Sequence, residues 1–376
     1  MPEDKSLGRK LLLLFDGSSN STARADESSA TVIYRLNQAF SNGRGGEQIS
    51  FYYSGVGTRG DHFSAVTGEG LNQIIADAYI NLSSNYVEGD LIYLFGFSRG
   101  AVAARCLSGL LSNVGLLYDS KLAADFPKVW EAYSQMTNPN KQKKVDQIRR
   151  GLEEDLHHPP VRFLGAFDSV PGDKWDKLKL VDCHAIQDFK LAKNVEHAVH
   201  ILSVDDNRHP SFEPLLWEGK ARNDQFLRQI WMPGVHADVG GCSNSVFIGN
   251  LAALTMIELL QEKCPELLFD NDYIDGLEKS TFDPNLILQI TNERPDFWRR
   301  LLGRKLRSAK GGAEQAKHHL LSQLVGRPLN IRGKNRQYCA KHITSIVKTT
   351  HHTRYDMRID DALEGYGPRQ QCCEHC

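Results

Sequence analysis

Residues 91–101 read LIYLFGFSRGA, in which a serine stands between two glycines directly after a run of large apolar residues. The apolar run predicts a buried strand, and the following AVAARCLSGLL has the composition of a buried helix. A Gly-x-Ser-x-Gly turn between such elements lifts the serine hydroxyl above the sheet, near the positive N-terminus of the helix. Gly96 and Gly100 suit this turn because the strand and the helix approach closely there. We therefore predict that Ser98 is a nucleophile; the alternative is an ordinary strand-to-helix turn.

A serine nucleophile needs a base, usually a histidine oriented by a carboxylate. The chain has 14 histidines, so distance along the sequence does not select one. Catalytic groups of a parallel sheet gather at the carboxyl ends of its strands. His236 follows the strand-like segment FLRQIWM and lies in the glycine-rich turn PGVHADVGG, so we predict that it is the base. His200 and His209 are weaker candidates.

The carboxylate should also follow a strand, and Asp168 does so after VRFLGAF, ahead of a Ser-Val-Pro-Gly turn. Asp205, after HILSV, and Asp238 are the reserve acids. Asp205 belongs to the segment DDNRHPSFEP, whose own charges predict an ion-pair network, so a structural role explains it well. We therefore favour Asp168 as the acid.

Acyl transfer further requires hydrogen-bond donors for the oxyanion that develops on the substrate. The backbone N–H of Arg99 follows the nucleophile and opens the predicted helix, so it is one candidate donor. Gly17 and Ser18, in the segment LLLLFDGSSNST after the first strand, are candidates for the second donor or for substrate binding. The Arg99 side chain could pair with a substrate phosphate or with Asp16, and the sequence leaves both open.

Strand-like and helical segments alternate up to about residue 265, which predicts a mostly parallel sheet covered by helices on both faces. The predicted strands span residues 9–16, 49–54, 91–97, 161–167, 198–204 and 226–232, and the main helices span 29–40, 71–86 and 247–260, the last of them amphipathic. We predict a catalytic domain over residues 9–265, with a helical insertion at 118–158 that either caps the site or lies on the surface. Residues 266–376 are predicted to form a mainly helical appendage.

Lys and Arg number 45 against 46 Asp and Glu, so bulk charge favours neither nucleic acid nor an anionic membrane as a partner. No segment is apolar enough for a membrane span, and the apolar run after Lys10 is too short for a secretory signal. We therefore expect a cytoplasmic protein whose contact with lipid is peripheral.

Most of the eight cysteines are isolated in the sequence, which is typical of reduced thiols. The terminal CCEHC could bind a soft metal, although an exposed, oxidisable tail is the simpler interpretation.

The segments FDGSSN, GFSRGA, FDSV, SVDDNRHPSFEP and GVHADVGG, in this order, resemble the α/β-hydrolase family that includes the phospholipase effectors of bacterial type VI secretion. The resemblance covers residues 9–262. It implies an α/β-hydrolase-like fold, a phospholipid substrate and no cofactor, with Ser98 as nucleophile, Asp168 as acid and His236 as base. It also implies export without a signal peptide and leaves open a secretion or immunity partner.

The chain departs from the family pattern at several positions. Ser18 and Ser169 replace threonines and keep a hydroxyl, whereas Cys242 and Ser243 replace the usual Gly-Tyr ending beside the histidine. The region after the core is short, and this questions the lipid substrate more than it questions the hydrolytic chemistry. The sequence leaves open two other hypotheses about the function. One is a catalytically silent scaffold of the same fold. The other is a phosphohydrolase in which Asp16, Asp168, Asp238 and His236 bind Mg²⁺ or Mn²⁺.

Overall fold

This computed structural model describes residues 8–17, 30–41, 46–55, 69–136, 138–171, 190–203, 206, 208, 213–218, 221–232, 234–243 and 246–281. The strands in these ranges are β1 (Lys10–Phe15), β2 (Gln48–Tyr53), β3 (Leu91–Phe97), β4 (Leu116–Leu117), β5 (Leu156–His157), β6 (Val161–Phe167), β7 (Val195–Ser203) and β8 (Phe226–Met232). The helices are α1 (Val32–Ala39), α2 (Glu69–Asn85), α3 (Arg99–Asn113), α4 (Asp119–Gln135), α5 (Gln142–Leu152), α6 (His236–Val239), α7 (Val246–Lys263) and α8 (Asn271–Thr281). Short 3-10 helices at Pro139–Lys141 and Glu153–Asp155 flank α5.

Six of the strands form one parallel sheet in the order β2-β1-β3-β6-β7-β8. The chain leaves β1 for β2 on one side and then returns to place β3 on the other side of β1. The carboxyl ends of β1 and β3 therefore meet where the direction of winding reverses, which is where open α/β sheets bind their ligands.

Helices cover both faces of this sheet, because its central strands carry buried apolar side chains on both sides. Along β1, Leu11 and Leu13 pack in the same core as residues of α2 and α3, whereas Leu12 and Leu14 pack in the core that contains residues of α1 and α7. All four leucines are completely buried. The predicted α/β fold with a parallel sheet and two helical layers is confirmed.

The helix predicted at residues 247–260 extends over Val246–Lys263 and is buried around most of its circumference, not on one face. It packs against both α1 and α8, which explains the difference from an amphipathic helix.

The insertion after α3 begins and ends in a two-stranded ribbon, in which β4 pairs antiparallel with β5. Its helix α4 rests on the α2–α3 layer: the Tyr133 hydroxyl donates to the carbonyl oxygen of Cys106 at 2.7 Å, and the Phe126 ring contacts that of Tyr79. The capping role of this insertion stays a prediction. The residues beyond α8, including the predicted helices and CCEHC, lie outside the described residues.

Of the described cysteines, Cys106 is disulfide-bonded, contrary to the expectation of reduced thiols, while Cys242 and Cys264 are free. Among the described helices, none combines the length and apolar character that a bilayer span requires.

Candidate active site

Ser98 lies in the turn between β3 and α3 with φ 58° and ψ −125°, a conformation that non-glycine residues rarely adopt. Two backbone hydrogen bonds hold it there. The Ser98 N–H donates to the carbonyl oxygen of Phe167 at 2.9 Å, and the Ser98 carbonyl oxygen accepts the N–H of Ala101 at 3.1 Å. The strained turn is thus fixed by the neighbouring strand β6 and by the first turn of α3.

The two glycines of the turn are required by close backbone contacts. A Cβ atom at Gly96 would lie 2.3 Å from the carbonyl oxygen of Gly100. A Cβ atom at Gly100 would lie 2.2 Å from the carbonyl oxygen of Phe15, at the end of β1. The α3 N-terminus therefore packs directly on the connection that follows β1.

Three side chains that are distant in sequence form one row of hydrogen bonds. His236, the first residue of α6, has its Nε2 at 2.9 Å from Ser98 Oγ and its Nδ1 at 2.6 Å from Asp168 Oδ2. A neutral imidazole with its proton on Nδ1 donates to Asp168 and accepts from the Ser98 hydroxyl. The Phe97 ring packs on the imidazole with centroids 4.8 Å apart. This arrangement can remove the proton from the serine.

Asp168 is completely buried and has φ 40°, so its turn is also strained. Strand β7 holds this turn. The Asp168 N–H donates to the carbonyl oxygen of Ile201 at 2.7 Å, and Ser203 donates its N–H to Oδ1 and its hydroxyl to Oδ2, each at 3.0 Å. His200, a weaker candidate base, instead accepts the Ser169 N–H through Nε2 at 3.0 Å.

The reserve acid Asp238 lies in the same turn as His236. Asp238 accepts the Val235 N–H at 3.0 Å and the Ser243 hydroxyl at 2.6 Å, so it closes the turn that carries His236. Asp205, like His209, lies outside the described residues. Its neighbour Asp206 accepts the backbone N–H of His236 at 3.2 Å.

Asp206 is also ion-paired with Arg208 at 2.6 Å, so part of the predicted ion-pair network is present. Ser203 and Asp206 were missed as site residues by the sequence reasoning. The strand HILSV and the charged segment after it were visible, but only the register of β7 beside β6 brings the Ser203 side chain to Asp168.

Of the predicted oxyanion donors, Arg99 opens α3 directly after Ser98. Gly17 lies beside this turn, but its N–H donates to Asp16 Oδ1 at 2.6 Å, so a role in binding the oxyanion requires that this bond break. Ser18 lies outside the described residues. The roles of all three stay predictions.

Of the four ligands of the hypothetical metal site, Asp168 and His236 bind each other, whereas Asp16 and Asp238 bind other groups. Asp168 binds His236 and Ser203, Asp238 closes its own turn, and Asp16 binds groups at the end of β1 and on neighbouring elements. Within the described ranges, no group of three or more His, Cys, Asp or Glu side chains is arranged to hold a metal ion.

Residues 9–262 match the family model for the catalytic domain of Tle1-like phospholipase effectors of the type VI secretion system (T6SS). The match covers more than half of the chain. The chain belongs to this family. The Tle1-like assignment confirms the resemblance drawn from the ordered sequence motifs.

The Tle1-like chain has a relative in Saccharomyces cerevisiae, an uncharacterized protein that is 29% identical over 230 residues. The match covers 54% of this chain and 32% of the yeast protein, so the chain spans about a third of the length of that relative.

Two solved structures are similar to the Tle1-like chain. One is the Tle1 effector bound to the VgrG spike from the type 6 secretion system, with TM-score 0.36 and 17% identity over 64% of this chain and 52% of that chain. The other is an uncharacterized protein from Pseudomonas aeruginosa, with TM-score 0.46 and 13% identity over 96% of this chain and 60% of that chain. Both likenesses are coarse, and the family assignment rests on the sequence match.

Proposed function

We propose that this Tle1-like domain is a serine esterase that cleaves the carboxylic esters of phospholipids. The observation that carries the proposal is the row of hydrogen bonds from Ser98 through His236 to Asp168, with distances of 2.9 and 2.6 Å. Membership of a phospholipase effector family supports the choice of substrate class.

In this mechanism, Ser98 Oγ attacks the ester carbonyl carbon while its proton moves to Nε2 of His236. The Asp168 carboxylate stabilises the imidazolium that forms. His236 then gives the proton to the leaving lysophospholipid oxygen, and the acyl group remains as an ester on Ser98. Water, deprotonated by His236, attacks that ester, releases the fatty acid and restores the serine hydroxyl.

The charge that develops on the carbonyl oxygen needs backbone donors. The first turn of α3 offers the Arg99 N–H at a helix N-terminus, and the Gly17–Ser18 connection is the proposed second side of this oxyanion site. Removing one such donor typically slows acyl transfer by about 10²–10³-fold.

The proposal extends to where the domain acts. We propose peripheral contact with a phospholipid surface and delivery through a secretion partner, by analogy with the Tle1 effector whose structure contains a VgrG spike. Synthesis in the cytoplasm followed by export belongs to the same proposal, as does an immunity partner.

The test compares wild type with Ser98→Ala on short-chain p-nitrophenyl esters and on phospholipids with labelled acyl chains. We expect Ser98→Ala to lower the rate of acyl release by at least about 10³-fold. Ser108→Ala is the matched control, because it removes another buried serine hydroxyl of α3, one that donates to the Arg105 carbonyl oxygen at 2.8 Å. Equal turnover by wild type and Ser98→Ala, or none by either, would rule out the proposed function.

A further inference from the structure

Asp16 is a buried carboxyl group that the proposed mechanism does not use. It directly follows β1 and is 3% exposed. Its carbonyl oxygen lies against the first turn of α3, since a Cβ atom at Gly100 would lie 2.6 Å from it. Asp16 is therefore next to the turn that carries Ser98.

The Asp16 carboxylate accepts three hydrogen bonds from three directions. Oδ1 accepts the Gly17 N–H at 2.6 Å, and Oδ2 accepts the Thr31 hydroxyl at 2.9 Å and the Tyr52 hydroxyl of β2. These donors are all neutral, and no cation of the described part of the chain pairs with the carboxylate. Burial raises the pKa of Asp16 to about 6.

A buried charge without a cation lowers stability, and an asparagine at this position would avoid that cost. Asparagine could not accept all three hydrogen bonds, however, because only one of its two terminal atoms is an acceptor. A protonated carboxyl could not accept all three either, because its own O–H group must donate. The charged form is the one that accepts from Gly17, Thr31 and Tyr52 together, whereas an amide or a protonated carboxyl keeps these contacts only if a hydroxyl reverses its hydrogen bond. Such uncompensated groups are found most often at functional sites.

The network also reaches the turn of His236. Thr31 is the N-cap of α1 and accepts the Tyr34 N–H at 3.1 Å. In the first turn of α1, the Val32 N–H donates to the carbonyl oxygen of Gly240 at 2.9 Å. The Gly240 N–H in turn donates to the carbonyl oxygen of His236 at 2.9 Å. The start of α1 therefore joins Asp16 to the turn of His236.

Arg35, on the next turn of α1, adds a second link of this kind. Its guanidinium donates to the carbonyl oxygen of Gly241 at 3.2 Å and to that of Ala30. The start of α1 is thus held to the glycine-rich turn by Arg35 as well as by the Val32 N–H.

We propose that Asp16 is a positioning residue whose carboxylate fixes the end of β1 and the start of α1 against both the Ser98 turn and the His236 turn. Its effect on reaction rate rests on the proposed function, whereas its effect on the His236 environment does not. Among the described residues, the titratable groups facing it are Tyr52 of β2 and, beside Tyr52, Tyr34 of α1; α3 presents the Gly100 backbone.

The test compares Asp16→Asn with Asp90→Asn. Asp90 is a matched control because it is 5% exposed and lies just before β3, at the opposite end of the sheet, where it pairs with Arg9 at 2.6 Å. We would measure the rate at which a fluorophosphonate labels Ser98 between pH 5 and pH 8.5. Dividing the labelling rate of the variant by that of the wild type cancels the pH dependence caused by groups that titrate alike in both proteins.

For Asp16→Asn we expect a ratio near 1 at pH 5, where wild-type Asp16 is protonated, falling by about 10-fold above pH 7. For Asp90→Asn we expect a ratio near 1 throughout. A flat ratio for Asp16→Asn, or an equal fall for both variants, would overturn the proposal.

A second measurement is independent of reactivity. In NMR spectra of protein with ¹⁵N-labelled histidine at pH 8, Asp16→Asn should shift the imidazole signals of His236 and Asp90→Asn should not. Unchanged His236 signals would overturn the positioning role even in an active enzyme. Absence of labelling at Ser98 in wild type would instead refute the proposed function, and the spectra would still decide the role of Asp16.

Discussion

Replacing Gly240 with alanine should misalign the proposed base without straining the backbone. Gly240 has φ −70°, which any residue adopts easily. Its added Cβ would lie 2.0 Å from Phe97 Cζ, whereas carbon atoms that are not bonded need about 3.5 Å. The Phe97 ring or the turn must therefore move by about 1.5 Å. Because this ring packs on the imidazole of His236, the hydrogen bond to Ser98 should be disturbed.

Misplacement of a catalytic group by about 1 Å commonly costs about 10²-fold in rate. We expect kcat for ester hydrolysis by Gly240→Ala to fall by about 10²-fold, with a smaller change in KM. Overpacking should also lower the free energy of unfolding by about 1–3 kcal/mol. Steady-state kinetics on a p-nitrophenyl ester and urea denaturation measure the two effects.

The control is Gly276→Ala in α8, where an added Cβ has no heavy atom within 4 Å. This variant should keep the wild-type kcat and gain about 0.5–1 kcal/mol of stability, because alanine favours the helix. A folded Gly240→Ala protein with wild-type kcat would refute the reasoning that packing of Phe97 aligns the imidazole.

Three further predictions follow from individual contacts. Ser203→Ala removes the hydroxyl that lies 3.0 Å from Asp168 Oδ2 and should lower kcat by about 5- to 20-fold. The Ser108→Ala control should change kcat less than about twofold. Equal kcat values for the two variants would contradict a role for Ser203. The folded-state pKa of Asp16 is about 6, above the reference value of 3.8, so the ionised Asp16 carboxylate opposes folding. This unfavourable contribution is absent below about pH 4, grows as the pH rises and is complete above about pH 6. Urea titrations should therefore show the stability of Asp16→Asn rising relative to wild type across this window, by at most about 3 kcal/mol, and a constant difference would contradict the assignment. Ester hydrolysis should survive dialysis against EDTA; activity that is lost and restored by Mg²⁺ would favour the phosphohydrolase hypothesis.

The sequence was most informative where a candidate residue follows a strand closely. The strand-like segments before Ser98, Asp168 and His236 predicted that all three lie at one edge of a parallel sheet, and the structure brings their side chains within hydrogen-bonding distance. The strand-to-helix turn at residue 98 could be predicted because the glycines on both sides are required by backbone contacts that few other residues allow.

Contacts between elements distant in sequence could not be predicted. Ser203 reaches Asp168 only because β7 pairs with β6 in one register, and strand register depends on the whole sheet. The predicted helix at residues 29–40 begins at Val32 because the Thr31 hydroxyl caps it and also binds Asp16. The hydrogen bond from the Gly17 N–H to Asp16 could not be predicted either, because the sequence of this turn is typical of an ordinary polar connection.

The proposal that Ser98 is a nucleophile activated by His236 is tested most directly by mapping a fluorophosphonate adduct with mass spectrometry. The account predicts one covalent adduct per chain, on the peptide that contains Ser98, formed at least about 10³-fold more slowly in His236→Gln. An adduct on another residue, or labelling of Ser98 at the same rate in a folded His236→Gln protein, would contradict it.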